Sequence, residues 1–400
     1  MIKDSNGKML EGIRILDFSR VLAGPFCTAL LADLGAEVVK IEPPRGDDYR
    51  FVGPLLKSES ALFLTVNRGK RSIVIDLKRE RGVELARKLA AQSDVVVENF
   101  RPGIAQKLGI GYEDLKMVNP KLVYASISGF GQFGEFSHLP AYDIIVQAMS
   151  GLMHITGDSD GPPTLVGEAV GDLAAGLFGS WAILAALFAR ERSGEGRYID
   201  VALFDSLVSL LPTSLCQLLY ADRVPKRVGN RHQLSAPFGA FPASDGDVVI
   251  AVLNDKLFEK LAQTIERPDL PEDLRFANDE SRYMHESALR EAIEAWTRTR
   301  TAAEVVRLLS EAGVPAAPIW DIRQATDNAH VKARGLFASA EHATLGTIPI
   351  PEQPVRFGGD RRGATTAAPV LGQHTDAVLR ELLNASDDEI DALRKTEVIL

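Results

Sequence analysis

The sequence is poor in the residues that crosslink proteins or bind structural metals. Only Cys27 and Cys216 are cysteines among 400 residues, and they do not have the spacing of metal ligands. Two cysteines are too few for a disulfide scaffold. This usage fits a reducing compartment, and we expect a cytoplasmic protein.

The chain also lacks an excess of positive charge and an apolar N-terminal run. Its formal net charge is −9, whereas non-specific binding to nucleic acid requires a broad basic surface. The first residues, Met1 to Lys8, contain no apolar core, so they do not resemble a signal peptide. We therefore expect no nucleic-acid partner.

Several catalytic and cofactor motifs are missing. No Gly-x-Gly-x-x-Gly follows the first predicted strand, and there is no P-loop, zinc-ligand run or Gly-x-Ser-x-Gly elbow. The seven histidines are scattered, and nothing pairs them with cysteine or serine. These absences exclude the common signatures of dinucleotide, nucleotide, zinc and serine-hydrolase chemistry.

One apolar run, residues 173–189, is long enough to raise the question of a membrane span. It has seventeen residues, close to the lower limit for a span, and charged residues flank it. No second run accompanies it, and Gly176 and Gly179 suit close packing between helices. The run predicts a buried helix and no membrane partner.

Apolar strands alternate with helical patterns in the first 130 residues, which indicates βαβ units and a parallel sheet. Ligands bind at the carboxyl ends of the strands in such sheets. A helical region follows, and then a smaller α+β region. We predict a large domain over residues 1–221, a small α+β domain with linkers over 222–328, and a return to the large domain over 329–400.

Asp172 stands where a glycine-containing turn meets this apolar run, in Val170-Gly171-Asp172-Leu173. The position predicts the first residue of a buried helix, or its cap. Amide dipoles at a helix N-terminus favour an ionised carboxylate. Two interpretations follow: an aspartate that caps the helix, or a carboxylate nucleophile.

Two other segments suggest a bound ligand. Between Arg68 and Arg81 six basic residues face two acidic ones, which indicates either a solvated surface or a seat for a phosphate-bearing cofactor. The segment Glu98-Asn99-Phe100-Arg101 directly follows a predicted strand. Asn99 could hydrogen-bond an adenine edge and Phe100 could stack on a ring, or the segment could be a turn that opens a helix.

Taken together, these segments resemble the class III CoA-transferases, the formyl-CoA transferase-like (CaiB/BaiF) family. The resemblance covers nearly the whole chain, and the order and spacing of its motifs are specific. Its motifs are residues 10–19, 23–25, 34–42, 70–73, 94–103, 161–163, 171–172, 194–197 and 371–375. It implies a Rossmann-like parallel sheet in the large domain, a smaller α+β domain, and an interlocked, ring-like homodimer.

The resemblance also implies a covalent mechanism with Asp172 as the catalytic residue. Its carboxylate attacks an acyl-CoA thioester to form a mixed anhydride, and the CoA thiolate then forms an aspartyl-CoA thioester. An acceptor carboxylate takes the CoA through a second anhydride. Coenzyme A is therefore a substrate, and the reaction needs no metal, ATP or prosthetic group.

Contacts to CoA carry over onto ten positions that match the family pattern. They are Leu22, Ala23, Ile75, Lys78, Asn99, Phe100, Arg101, Lys107, Tyr142 and Asp143.

Some positions depart from the formyl-CoA branch. Pro43 and Pro140 stand where that branch has basic residues, and its glycine-rich flap is missing between Asp222 and Asp247. These departures argue against oxalate as the acceptor. Residues 150–157 look more like members that use succinyl-CoA and a dicarboxylate, and Arg231 and His232 are candidates for the acceptor's distal carboxylate.

Two alternatives remain. The superfamily includes α-methylacyl-CoA racemases, whose catalytic histidine precedes the aspartate equivalent to Asp143; that position here is Tyr142. The other alternative is a non-catalytic CoA-binding protein in which Asp172 only caps a helix.

Overall fold

The computed structural model describes residues 8–357 and 366–400. Within them the chain forms two compact units. The first comprises the described residues within Met1–Ser150, Val166–Leu210 and Lys332–Leu400, and the second comprises Gly151–Leu165 and Leu211–Val331.

Thirteen strands occur in the described residues. In chain order they are β1 (Arg14–Asp17), β2 (Glu37–Glu42), β3 (Leu55–Leu56), β4 (Glu59–Ser60), β5 (Lys70–Val74), β6 (Val95–Glu98), β7 (Val123–Ser128), β8 (Tyr198–Ala202), β9 (Phe238–Pro242), β10 (Asp247–Ala251), β11 (Ala316–Pro318), β12 (Phe337–His342) and β13 (Gly346–Pro351).

Eighteen α-helices occur in the same residues. They are α1 (Ala23–Asp33), α2 (Ala61–Val66), α3 (Glu80–Ala91), α4 (Ile104–Lys107), α5 (Tyr112–Val118), α6 (Asp143–Met149), α7 (Leu152–Ile155), α8 (Val170–Ser193), α9 (Leu203–Ser209), α10 (Pro212–Ala221), α11 (Asp255–Thr264), α12 (Asp279–Met284), α13 (Glu286–Thr297), α14 (Ala302–Glu311), α15 (Ile322–Asp327), α16 (Ala329–Arg334), α17 (Thr375–Leu383) and α18 (Asp387–Lys395).

The first unit is built on a six-stranded parallel sheet in the order β5-β2-β1-β6-β7-β8. The middle strands are buried along their length, as in the Val-Val-Val-Glu sequence of β6. Continuous apolar runs of this kind are typical of parallel strands covered on both faces. The predicted α/β fold with a parallel sheet is confirmed.

The order in which strands are added to the sheet changes direction between β1 and β6. The sheet extends from β1 through β2 to β5 on one side, and from β6 through β7 to β8 on the other. Such a switch point leaves a crevice between the loops that follow the two central strands, and ligands bind there in open α/β sheets.

The second unit contains a three-stranded antiparallel sheet, β11-β10-β9. Its own core is formed by side chains of that sheet and of α11, α13 and α14, including Phe241, Phe258 and Trp296. It is an α+β arrangement.

The long helix α8 is apolar, and it alone among the described helices has the length and composition of a membrane span. It packs against α1 and α9 within the first unit, and 44% of its most apolar window is buried. Gly176 allows this packing, because a Cβ there would lie 2.8 Å from the carbonyl oxygen of Ala23.

Candidate functional site

A cavity of about 170 Å³ lies at the switch point of the sheet. Its walls are the loop after β1, the loop after β6 and the end of β7, together with residues near the starts of α6, α8 and α9. Of the predicted site residues, seven line it: Leu22, Ala23, Asn99, Phe100, Arg101, Tyr142 and Asp172.

The remaining predicted positions lie elsewhere. Lys78 and Lys107 are exposed and do not line the cavity. Ile75 packs in the core, and its N–H donates to the Glu42 carbonyl oxygen, so neither its side chain nor its N–H is available to a ligand. Asp143 does not line the cavity, but it acts on the residues that do.

Asp172 is the third residue of α8, not its first residue or its cap as the sequence suggested. The cap position is Ala169, which provides no side-chain hydrogen bond. The carboxylate of Asp143 caps the helix instead. Its Oδ1 accepts a hydrogen bond of 2.7 Å from the N–H of Gly171 in the first turn. Capping is therefore performed by Asp143, and the interpretation of Asp172 as a cap is wrong.

Any side chain at position 171 would crowd this contact. A Cβ at position 171 would lie 2.9 Å from Asp143 Oδ1 and 3.0 Å from a methyl group of Val146. The glycine before Asp172 thus makes room for the carboxylate that caps α8.

Gln147 fixes the capping carboxylate from its other side. The fully buried Gln147 side chain donates to Asp143 Oδ2 at 2.6 Å and to the Glu168 carbonyl oxygen at 3.1 Å. Its own Oε1 accepts from the N–H of Val166 at 3.1 Å. Apart from the contact between Gln147 and Asp143 within α6, these bonds join residues 19 to 28 positions apart, which local sequence patterns do not reveal.

Burial, together with the nearby Asp143 carboxylate, raises the pKa of Asp172 to about 7. The pKa of Asp172 therefore lies well above its ordinary value, although the residue stands in the first turn of α8. Burial also raises the pKa of the Tyr49 phenol, and the charge of Asp172 adds to that shift. Tyr49 was not singled out in the sequence.

The loops after β1 and β6 hold each other through Asn99. Its Oδ1 accepts from the Arg20 N–H at 2.8 Å and its Nδ2 donates to the Arg20 carbonyl oxygen at 2.7 Å. Asn99 therefore shapes the cavity. These two bonds use one of the two N–H donors and one of the two acceptor positions of its amide, and its contact with CoA stays a prediction. The Arg20 guanidinium lies over the Phe100 ring, 5.4 Å from its centroid.

Buried ion pairs lie beneath these loops. Lys70 pairs with Asp17 at 3.0 Å with both side chains fully buried, and Arg68 pairs with the buried Asp33. These two basic residues are consequently neither a solvated surface nor a phosphate seat, and both interpretations of the basic segment are wrong for them.

In the second unit, Arg231 and His232 line a cavity of about 520 Å³ together with Arg227 and Arg290. Arg231 donates to Glu286 at 2.6 Å, and the His232 ring lies 5.0 Å from the Phe238 ring. Among the described residues, no cluster of three or more histidine, cysteine or acidic side chains could hold a metal ion.

Comparison with known proteins identifies the family to which this fold and site belong. Residues 10–375 match the family described as CoA-transferase family III.

The chain belongs to CoA-transferase family III.

Two relatives illustrate the similarity. The chain is 40% identical over 394 residues to the succinyl-CoA:glutarate CoA-transferase of Mus musculus, covering 98% of this chain and 90% of that one. It is 42% identical over 374 residues to the acetyl-CoA:oxalate CoA-transferase of Acetobacter aceti, covering 93% and 95%.

A solved structure gives the same result. The crystal structure of a CaiB/BaiF family protein from Brucella suis superposes with a TM-score of 0.83 at 37% identity, covering 94% of this chain and 99% of that one. This member of CoA-transferase family III is an enzyme that transfers CoA from an acyl-CoA to a carboxylate, and the predicted family and reaction are confirmed.

Proposed function

We propose that this enzyme transfers CoA from succinyl-CoA to a dicarboxylic acid through covalent intermediates on Asp172. The observation that carries the proposal is the free carboxylate of Asp172 in the switch-point cavity, with helix capping left to Asp143. A carboxylate released from a structural task is available for chemistry.

The proposed reaction exchanges acyl groups with no net uptake or release of a proton. The Asp172 carboxylate attacks the thioester carbon and the C–S bond breaks, which gives a mixed anhydride and CoA thiolate. The thiolate attacks the aspartyl carbonyl carbon, an anhydride C–O bond breaks, and the donor acid leaves. The acceptor carboxylate then displaces the thiolate from the aspartyl thioester.

A second anhydride results, now between Asp172 and the acceptor. The thiolate attacks the acceptor's acyl carbon, and the carboxylate of Asp172 is regenerated. The enzyme must hold the thiolate in place and exclude water from both anhydrides. The near-neutral pKa of Asp172 reflects the partly dry surroundings that this task needs.

The names of the relatives support the substrate class. Two are named for glutarate and oxalate as acceptors, and another, from Haloarcula hispanica, is named succinyl-CoA:mesaconate CoA-transferase at 41% identity. Oxalate belongs in the acceptor panel despite the sequence departures at Pro43 and Pro140, because the relative named for it is 42% identical.

The test is an incubation with succinyl-CoA and a panel of dicarboxylates, with new thioesters detected by mass spectrometry. Asp172→Ala should abolish them, and hydroxylamine should trap an adduct on Asp172 in the parent enzyme. The matched control is Asp205→Ala, because Asp205 is likewise the third residue of its helix but is exposed and outside the cavity. Full activity of Asp172→Ala would refute the mechanism.

The same assay separates the alternatives. A racemase would exchange the α-proton with solvent deuterium without any acceptor, yet no histidine lines the switch-point cavity in the described part of the chain. A protein that only binds CoA would give no adduct on Asp172.

We further propose that Arg231 and His232 recognise the acceptor's second carboxylate. Support comes from the arginine-rich cavity that they line in the second unit. Arg231→Gln should raise the KM for a dicarboxylate at least fivefold and leave the KM for succinyl-CoA unchanged.

We also propose an interlocked homodimer that acts in the cytoplasm without a membrane or nucleic-acid partner. One face of α8 exposes Leu177, Trp181 and Phe188, with exposures of 54%, 67% and 67%. Large apolar side chains grouped in this way mark an interface, and a second copy of the chain is the proposed occupant. Cys27 and Cys216 are both free, which is consistent with a reducing compartment.

A further inference from the structure

Val21 forms part of the wall of the Asp172 cavity in a conformation that valine avoids. Its φ is +68°, in the left-handed region. Among the described non-glycine residues with positive φ, Val21 alone is β-branched. A β-branched residue in this region is an outlier that persists only where its surroundings impose it.

The surroundings that impose it are side chains from three different parts of the first unit. Asp47 Oδ1 accepts from the Val21 N–H at 3.0 Å. Asn99 holds both backbone groups of Arg20, and Lys40 Nζ donates to the carbonyl oxygen of Ser19 at 2.7 Å. Residues 19–21 are therefore clamped through their backbone.

Asp47 and Lys40 act together in this clamp. Their side chains are completely buried and form an ion pair of 2.9 Å, so each places the other. Asp47 Oδ1 also accepts from the Tyr49 N–H at 3.0 Å. Burying two charges is costly, and this pair lies behind the loop that leads into Leu22 and Ala23.

We propose that Asp47, backed by Lys40, is a positioning residue that holds Val21 in the left-handed conformation and so prearranges the cavity wall for the acyl-CoA thioester. This inference rests on the proposed function of the cavity. It assigns to a buried ion pair the task of fixing the substrate-side surface formed by Val21, Leu22 and Ala23.

The decisive test is a rescue. Asp47→Ala should lower kcat/KM for succinyl-CoA at least tenfold, because valine no longer has a partner that keeps φ positive. Adding Val21→Gly should recover at least threefold of that loss, because glycine adopts this φ without strain. If Asp47 were only structural, the added glycine would increase chain entropy and recover nothing.

A second pair of variants leaves the buried charges in place. Val21→Gly keeps the N–H that donates to Asp47 and adopts a positive φ without strain, so it should lose less kcat/KM than Val21→Pro. Val21→Pro should lose at least tenfold while remaining folded, since proline fixes φ near −65° and has no N–H to donate to Asp47. Equal activity of these two variants would overturn the inference, even if Asp47→Ala did not fold.

The matched control is Asp33→Ala, which breaks another buried ion pair in the same unit, with Arg68, outside the cavity. It should lower the melting temperature and leave kcat/KM within twofold. A loss in this control as large as that of Asp47→Ala would also overturn the inference. If Asp172→Ala abolishes transfer but the Asp47 and Val21 variants change only stability, the inference fails and the proposed function stands.

Discussion

At the scale of single residues, two opposing effects determine the charge of Asp172. Its place in the first turn of α8 favours the carboxylate by about 0.3–1 kcal/mol, less than one pKa unit. Burial can shift a pKa by several units in the other direction, and it does so here, to about 7. Burial therefore outweighs the helix dipole in setting the pKa of Asp172.

This shift predicts how the rate depends on pH. Since only ionised Asp172 is nucleophilic, kcat/KM should rise from pH 6 to pH 8 with a midpoint near 7. Asp143→Asn should move the midpoint to lower pH, because it removes the neighbouring negative charge. Asp205→Asn should leave the midpoint in place. A rate that is flat or falls over this range would show that Asp172 is not the ionising nucleophile.

The same shift makes a prediction about stability. A carboxyl group whose pKa is raised on folding binds more protons in the folded state, so its stability contribution is lost as pH rises from about 4 to about 7. Asp172→Asn should therefore stabilise the protein at pH 8 by roughly 1–4 kcal/mol, and the gain should disappear towards pH 4.

Urea unfolding of parent and variant across this pH range measures the effect. The exposed Asp205→Asn serves as the control and should show no comparable gain. A variant less stable than the parent at pH 8 would mean that the folded protein favours ionised Asp172.

At the scale of helices and strands, the local sequence predicted the positions of the elements better than it predicted where each element begins and ends. For example, the helical region predicted after residue 130 is interrupted between α9 and α10, where Pro212 begins the second helix. Proline is well suited to a first helical position and poorly suited to an interior one. The start of α8 at Val170 was missed because its capping group, Asp143, lies 28 residues away in the chain.

Close packing between α1 and α8 predicts that Gly176→Ala destabilises the protein, whereas the same change in an exposed helix would stabilise it. Gly→Ala inside an exposed helix stabilises by about 0.5–1 kcal/mol. At Gly176 the new Cβ would meet the Ala23 carbonyl oxygen at 2.8 Å and the Phe26 ring at 2.9 Å. Gly176→Ala should therefore destabilise by about 1–3 kcal/mol and lower activity, since Ala23 lines the cavity.

Thermal unfolding and kcat/KM measured on the same preparation test this. Ser180→Ala, a change on the same helix that adds no atoms, should alter neither. A Gly176→Ala protein more stable than the parent would show that the two helices can separate without cost.

At the scale of the whole molecule, the sequence supported the parallel sheet but not its strand order. Alternating strands and helices are consistent with many orders, and only the pairing of β1 with both β2 and β6 creates the crevice that holds Asp172. Likewise, the pairing of Lys70 with Asp17 and of Arg68 with Asp33 joins residues that are distant in sequence. The resemblance to a family supplied what local patterns lack, because seven of the residues that it names line the cavity.

The exposed apolar face of α8 predicts the oligomeric state. Trp181 and Phe188 are both two-thirds exposed, and such residues contribute strongly where they are buried between chains. Trp181→Glu combined with Phe188→Glu should weaken or abolish the dimer, because two charges would be buried in an apolar contact. Sedimentation equilibrium over a range of protein concentrations measures the change.

The control for this experiment is Met117→Glu, which places a charge on another strongly exposed apolar side chain of the same unit, on α5. It should leave the dimer intact. If the α8 double variant sediments like the parent, α8 is not the contact between copies, and the dimer must use another surface. If the parent itself is a monomer at micromolar concentration, the interlocked arrangement is excluded for this chain.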